Sequence, residues 1–168
     1  MLKQDFLCWH TFSIEIVDLR QKGKAMIPVN KLMIIDDDEL SNYITGKIVE
    51  HAGLAEKADS FYSGKAALRY LKSNSAIRQG DYPDIIFLDL NLYDMKGWDF
   101  LSEYIKLKEN YRQKITLFVW TNSIAEKDRE EAKKFPCIKG YLQKPLTMAM
   151  IQEIELYLTK NNEYVYKG

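Results

Sequence analysis

The chain has 168 residues, of which 46% are hydrophobic and 29% are charged, and its 24 basic side chains equal its 24 acidic ones in number. This composition favours one globular domain with a substantial core, and the balanced charge argues against direct binding to nucleic acid or to an anionic membrane. Cys8 and Cys137 lie outside any redox or metal motif, and no apolar run approaches the roughly 18 residues of a membrane span. We therefore expect a cytoplasmic protein whose partners are proteins or small molecules.

Residues 1–28 do not share the pattern of the rest of the chain. They contain one weak alternation, at Phe12, Ile14 and Ile16. Two interpretations remain open. The segment is an extra edge strand or docking arm, or the natural protein starts at Met26 and the preceding residues are upstream sequence.

From Lys31 onward, short apolar runs alternate with amphipathic stretches, which predicts five strands and five helices in strict alternation. The runs at 31–35, 84–88 and 115–120 are continuously apolar, as strands buried on both faces of a parallel sheet require. Helices must then cover both faces, so we predict an α/β fold, a three-layer (βα)5 sandwich over residues 29–160, with a tail at 161–168.

Helix-capping residues agree with these predicted elements. Asp38 or Ser41 is placed to cap the first helix, Ser63 is placed to cap the second, and Gly53 follows the first helix. These residues fix where the predicted helices begin and end.

Polar side chains stand where the predicted strands end. The first strand runs into Asp36 and Asp37, the third into Asp89, the fourth into Thr121 and the fifth into Lys144. In parallel α/β sheets, ligands bind outside the carboxyl ends of the strands, where the strand order reverses. We therefore expect these five groups to face one cleft.

The chemistry of the groups suggests phosphoryl transfer. Adjacent carboxylates repel one another unless a cation compensates them, and Mg²⁺ typically binds one or two carboxylates together with water and phosphate. We predict Asp37 and Asp89 as direct Mg²⁺ ligands and Asp36 as a ligand through water. A carboxylate can also be a nucleophile that forms an acyl phosphate. Asp89, at the end of the central strand, is the predicted nucleophile.

From about Val29 to Lys160 the chain resembles a response-regulator receiver domain of two-component signalling, of the stand-alone type. The matching strings are IIDDDE, LDLNLYDMKGWDFL, WTNS and GYLQKPL. The resemblance implies a doubly wound sheet in the flavodoxin-like order 2-1-3-4-5, with Mg²⁺ as cofactor. It also implies a sensor histidine kinase or phosphotransfer protein as phosphodonor and a downstream protein as output partner.

The resemblance also assigns roles at the metal site. Asp36 and Asp37 match the metal-binding acids, and Asp89 matches the phosphoacceptor, which also contacts the metal. The backbone carbonyl of Asn91 matches the third protein ligand of Mg²⁺.

Further roles concern the switch. Thr121 matches the hydroxyl that moves to meet the phosphoryl group, and Lys144 matches the group that bonds a phosphoryl oxygen. Tyr141 matches the aromatic side chain coupled to that threonine, and Gly97 matches the loop glycine after the phosphoacceptor. The resemblance implies no enzymatic activity beyond the protein's own phosphorylation and dephosphorylation.

Three residues depart from the family pattern. Leu92 and Tyr93 stand where Met-Pro is usual, so a more mobile loop is expected. Asn122 stands where Ala or Gly is common, and its larger side chain is expected to slow exchange of the phosphoryl group. These departures leave open a receiver-fold interaction module that is not phosphorylated. A haloacid-dehalogenase-like phosphatase is a further alternative, since Asp36 and Asp38 mimic its two acids, although the threonine expected after them is absent.

Overall fold

The structure, a computed structural model, describes residues 29–73 and 81–165. The strands are β1 (Lys31–Ile35), β2 (Lys57–Phe61), β3 (Ile85–Leu88), β4 (Thr116–Thr121) and β5 (Ile138–Gln143). The helices are α1 (Glu39–Ala52), α2 (Gly64–Lys72), α3 (Gly97–Tyr104), α4 (Glu109–Arg112), α5 (Glu126–Ala132) and α6 (Met148–Val165). The interpretations of residues 1–28 concern a segment outside the described residues.

The strands form one parallel sheet in the order β2-β1-β3-β4-β5, which confirms the predicted fold class and strand order. Ile35 lies opposite Leu88, and Leu88 lies opposite Val119. Because the strands are in register at this edge, the residues that follow β1 and β3 emerge side by side.

Side chains of the sheet alternate between two apolar layers, because successive residues of a strand point to opposite faces. On one face, Met33 and Ile86 pack with Leu71 of α2 and Phe100 of α3. The opposite cluster includes Val49 of α1 together with side chains of β1, β3, β4 and α6: Leu32, Ile34, Phe87, Phe118, Trp120, Ile151 and Ile154. The three-layer arrangement is therefore as predicted.

The structure shifts several predicted boundaries. The amphipathic stretch GWDFLSEYIKLKE predicts one continuous helix over residues 97–109, but α3 ends at Tyr104 and a separate turn, α4, begins at Glu109. Between them the N–H of Leu107 bonds the Tyr104 carbonyl at 3.0 Å, and Leu107 packs against the core. Burial of this side chain turns the chain out of the helix. The last helix continues to Val165, into the segment expected to be a tail.

The predicted helix caps are present. The Asp38 carboxylate accepts from the N–H groups of Leu40 and Ser41, so Asp38 caps α1. Ser63 caps α2 by accepting from the Ala66 N–H, and Gly53 ends α1 at φ 69°. That left-handed conformation favours glycine. Within the described ranges, no helix is both long enough and apolar enough to cross a bilayer.

Candidate functional site

Three aspartate carboxylates meet where β1 and β3 end. Asp36 is fully buried, Asp89 is 7% exposed and Asp37 is half-buried. One oxygen of each carboxylate lies within 4.8 Å of the other two. The structure therefore brings together the three acids that the sequence placed at one rim.

The backbone fixes the two buried aspartates. The Asp89 N–H donates to the Ile35 carbonyl at 2.9 Å, and the Asp36 N–H donates to the Phe61 carbonyl at 3.1 Å. The Asn42 side-chain amide donates to the Asp36 carbonyl from the buried face of α1. These bonds hold Asp36 and Asp89 on strand ends rather than on loops, which limits their movement.

Lys144 supplies the positive charge of the cleft. Its Nζ donates to Asp36 Oδ2 at 2.7 Å and to Asp89 Oδ2 at 2.6 Å. Its backbone N–H donates to the Thr121 carbonyl at 3.0 Å, which ties the end of β5 to the end of β4. The peptide bond from Lys144 to Pro145 is cis.

The charge of the cleft favours a divalent cation. Three carboxylates facing one ammonium leave a formal excess of negative charge in a partly buried space, and carboxylate oxygens are the ligands that Mg²⁺ and similar hard cations prefer. Asp37 does not share Lys144, and its Oδ2 accepts from the Tyr93 N–H at 3.1 Å. The acidic cluster is therefore one that can hold a metal.

The loop after β3 passes close to the carboxylates. The Asn91 N–H donates to Asp89 Oδ1 at 3.2 Å, and Asn91 forms a bridge with Lys96 across the loop. The Gly97 N–H then donates to the Leu90 carbonyl at 2.8 Å. A Cβ on Gly97 would lie 2.6 Å from the Leu90 Cα and 2.9 Å from the Asp89 carbonyl oxygen. The loop closes on the strand only because residue 97 has no side chain.

The predicted switch residues lie next to the cleft. Thr121 is fully buried, and its Oγ1 accepts from the Ser123 N–H at 3.3 Å. The Tyr141 hydroxyl donates to the Ser123 carbonyl at 3.1 Å, and the ring is 2% exposed. Burial raises the pKa of Tyr141 above its usual value. The Tyr141 side chain therefore lies inward, against the core.

Two contacts of the site were not foreseen from the sequence. Asn42 supports Asp36 by donating to its carbonyl. In α1, Asn42 shares a buried stripe with Thr45 and Val49, and a polar residue in such a stripe indicates a buried hydrogen-bond partner. The place of Trp120 at the end of a buried apolar run predicts core packing or a rim contact for it. Its ring lies beside Lys144, with Nζ 4.5 Å from the ring centroid. Asp38 and Asp94 cap helices, as expected of acids near the cleft that do not bind metal.

The family model of the response regulator receiver domain matches residues 32–155 of the chain. The chain belongs to this family. Receiver domains are not enzymes apart from their own phosphorylation, and an aspartate triad such as this one is typical of their phosphoacceptor site. Membership implies a histidine kinase as partner in general.

Two curated relatives match this chain over a small part of their own length. A hybrid signal transduction histidine kinase of Dictyostelium discoideum is 27% identical over 139 residues, which are 81% of this chain and 8% of that protein. A protein-glutamate methylesterase/protein-glutamine glutaminase of Treponema denticola is 34% identical over 76 residues, 45% of this chain and 18% of that protein. The chain thus spans less than a fifth of the length of these relatives.

Solved receiver structures share the fold. A two-component response regulator from Cytophaga hutchinsonii has a TM-score of 0.69 at 24% identity, with 78% of this chain and 99% of that chain covered. A receiver protein from Dyadobacter fermentans has a TM-score of 0.65 at 31% identity, with 74% and 93% covered. The response regulator Rcp1, solved in an Mn²⁺-bound form, has a TM-score of 0.59 at 21% identity, with 75% and 88% covered.

Proposed function

We propose that this receiver domain is a phosphoryl-accepting switch, with Asp89 as the acceptor. The observation that carries the proposal is the single ammonium of Lys144, which bonds both Asp36 and Asp89 beside a third carboxylate. Acyl-phosphate formation needs a nucleophilic carboxylate surrounded by groups that neutralise the phosphoryl oxygens. This cleft has both in one place.

In the proposed step, one Asp89 carboxylate oxygen attacks the phosphorus of a phosphohistidine on a kinase or phosphotransfer protein. The new P–O bond forms as the P–N bond breaks, and the leaving imidazole takes a proton from solvent. Lys144 and Thr121 then bond oxygens of the transferred group. Asp36, Asp37 and Asp89, with the Asn91 carbonyl, are the residues that would hold Mg²⁺. Mg²⁺, when bound, contributes neutralisation of the phosphoryl charge.

The proposed output is a change of the surface formed by α5, β5 and α6, read by another protein or used to pass the phosphoryl group along a relay. Thr121 and Tyr141 are coupled through Ser123, which donates its N–H to Thr121 Oγ1 and accepts from the Tyr141 hydroxyl. When Thr121 turns toward the phosphoryl group, the Ser123 segment follows and carries the start of α5 with it. We place this protein in the cytoplasm.

A phosphatase of the haloacid-dehalogenase type is disfavoured by the position of Asp38. Such an enzyme needs a second acid that faces the substrate, whereas the Asp38 carboxylate accepts hydrogen bonds from Leu40 and Ser41 at the start of α1. The Asp38 side chain caps α1 and is not the substrate-facing acid that such an enzyme needs. The remaining rival is an interaction module that is never phosphorylated.

Intact-mass measurement after incubation with acetyl phosphate tests the proposal. We expect one phosphoryl addition to the wild-type chain, dependent on Mg²⁺ and absent in Asp89→Ala. Asp99→Ala is the matched control, because Asp99 is exposed and lies outside the cleft. The absence of any addition with Mg²⁺ present would favour the interaction module. Addition that persists in Asp89→Ala would reject Asp89 as the acceptor.

A further inference from the structure

Trp120, near the end of β4, contacts the catalytic lysine as well as the core. Its side chain is 1% exposed and belongs to the apolar layer beneath α1 and α6. The Lys144 Nζ lies 4.5 Å from the ring centroid. A cation within about 6 Å of an aromatic centroid is attracted by the negative face of the ring, and the attraction increases when both partners are desolvated. This pair meets both conditions, because the Lys144 side chain is 8% exposed.

Packing alone does not account for tryptophan at this position. Phenylalanine or leucine also fills a buried site at the end of a strand, without bringing a polar atom into the core. The buried indole N–H of Trp120 has no hydrogen-bond partner among the described protein atoms. An unpaired buried donor is unfavourable, so the N–H does not explain why residue 120 is a tryptophan. The ring face explains it, because tryptophan binds cations more strongly than the other aromatic residues.

The ring completes the surroundings of the ammonium. Lysine offers three N–H donors, and two of them are engaged by Asp36 and Asp89. Because the lysine side chain is long and flexible, two carboxylates on neighbouring strands leave its position above the sheet only partly defined. Contact with a rigid ring that is itself fixed in the core, where it neighbours Phe87 at 6.1 Å between centroids, defines that position.

We propose that Trp120 is a positioning residue for Lys144. Its ring face holds the ammonium in line with the phosphoryl oxygens as Asp89 is phosphorylated. Its effect therefore falls on the position of Lys144 and, through it, on the rate of phosphoryl transfer. This inference rests on the proposed phosphoryl-accepting function of the cleft.

Two substitutions separate the ring face from its volume. Trp120→Phe and Trp120→Leu both shrink the side chain, but only phenylalanine keeps a face toward the ammonium. We expect the rate of phosphorylation by acetyl phosphate to fall about ten-fold in Trp120→Leu and clearly less in Trp120→Phe, in keeping with a desolvated cation–π contact. Phe118→Leu is the matched control, since Phe118 is buried in the same layer two residues earlier on β4. It loses an aromatic ring away from Lys144 and should keep the wild-type rate.

A spectroscopic measurement reports the contact directly. In the full-length chain, a ring above the ammonium shifts the NMR signals of the Lys144 ε-methylene protons upfield. We expect this shift to persist in Phe118→Leu, to shrink in Trp120→Phe and to vanish in Trp120→Leu. Loss of core packing alone would not produce this order.

The outcomes are distinct. Equal phosphorylation rates in the two Trp120 variants, or an unshifted Lys144 signal in the wild-type chain, overturn the positioning role while leaving the proposed function intact. A wild-type chain that accepts no phosphoryl group overturns the proposed function and this inference with it. A graded rate loss with a matching loss of the shift supports the proposal.

Discussion

Lys144 is the residue on which the electrostatic balance of the cleft depends. It is the counter-ion of two carboxylates, one of which is fully buried. Charges in such a place are tolerated when they are paired, and removal of one partner leaves an uncompensated charge. The lysine that bonds the phosphoryl group in the proposed reaction thus also stabilises the fold before the reaction.

We predict that Lys144→Met lowers the free energy of unfolding in the absence of metal by about 3 kcal/mol, because Asp36 and Asp89 lose their cation. A cation that binds only the folded state stabilises it, so added Mg²⁺ should restore more stability in the variant than in the wild type. Urea unfolding with and without Mg²⁺ measures both effects.

Lys134→Met is the control for that substitution. Lys134 forms an exposed pair with Glu131 on the last turn of α5, and exposed pairs contribute about 0–1 kcal/mol. Its removal should change stability little and leave the Mg²⁺ effect as in the wild type. Equal losses in the two variants would mean that Lys144 is not the counter-ion of the cleft.

At the scale of elements, the loop after β3 also organises the start of α2. The Asp94 carboxylate accepts from the Ser63 hydroxyl at 2.7 Å and from the N–H groups of Gly64 and Lys65 at 3.1 and 3.0 Å. Gly64 admits this approach, because a Cβ there would lie 2.9 Å from Leu92 and Met95 side-chain atoms. A loop that departs from the family pattern at Leu92 and Tyr93 is therefore anchored by a helix cap.

We predict that Asp94→Ala lowers stability by about 1–2 kcal/mol at neutral pH, as loss of a helix cap does. Burial alone would raise the pKa of Asp94, but the hydrogen bonds from Ser63, Lys65 and Gly64 outweigh it and hold the pKa below its usual value. A carboxyl whose pKa is lowered by folding contributes stability above its unfolded pKa of about 3.9 and loses that contribution as pH falls through the folded pKa.

The difference in unfolding free energy between wild type and Asp94→Ala should therefore be constant at neutral pH and shrink below about pH 4. Urea unfolding across this range measures it. Glu56→Ala, which removes an exposed loop acid, should show no such difference. A difference that does not change with pH would place the effect of Asp94 in packing rather than in its charge.

At the scale of the whole molecule, a second polar cluster lies at the start of β1. The Lys31 Nζ lies 3.0 Å from Asp59 and 2.8 Å from Asp81, and donates to the Tyr70 hydroxyl at 2.7 Å. Burial would lower the pKa of Lys31, but the bonds to Asp81 and Tyr70, with that to Asp59, raise it above its usual value. The cluster joins β1, β2 and α2 at the end of the sheet opposite the three aspartates.

The boundaries proposed for the domain lead to a prediction about residues 1–25. Residues 1–25 contain one weak apolar alternation, at Phe12, Ile14 and Ile16, and the regular alternation of predicted strands and helices starts only at Lys31. A chain that starts at Met26 should therefore unfold within about 0.5 kcal/mol of the full-length protein and accept phosphate at the same rate. Urea unfolding measures the difference in stability, and intact mass followed over time measures the rate of phosphoryl addition.

The opposite result would identify a working N-terminal segment. A drop in stability on removal of residues 1–25 is the outcome expected of an extra edge strand. Unchanged stability with impaired transfer from a partner kinase is the outcome expected of a docking arm. Each result contradicts the prediction in a different way.

The architecture could be predicted from the sequence because its signals are local. Continuous apolar runs mark β1, β3 and β4, and polar residues end them at Asp36, Asp89 and Thr121. Helix caps at Asp38 and Ser63 depend on contacts within three residues. The break between α3 and α4 was missed, because it depends on where Leu107 meets a core built from other elements.

The sequence by itself determined which kinds of group stand at the strand ends, since periodicity and caps act between neighbours along the chain. The tertiary structure alone decided which atoms meet. Lys144 reaches Asp36 across 108 positions of sequence, Trp120 offers its ring to that lysine, and Tyr141 lies inward against Ser123. Such contacts depend on distances through space, which strand register and the packing of both apolar layers set together.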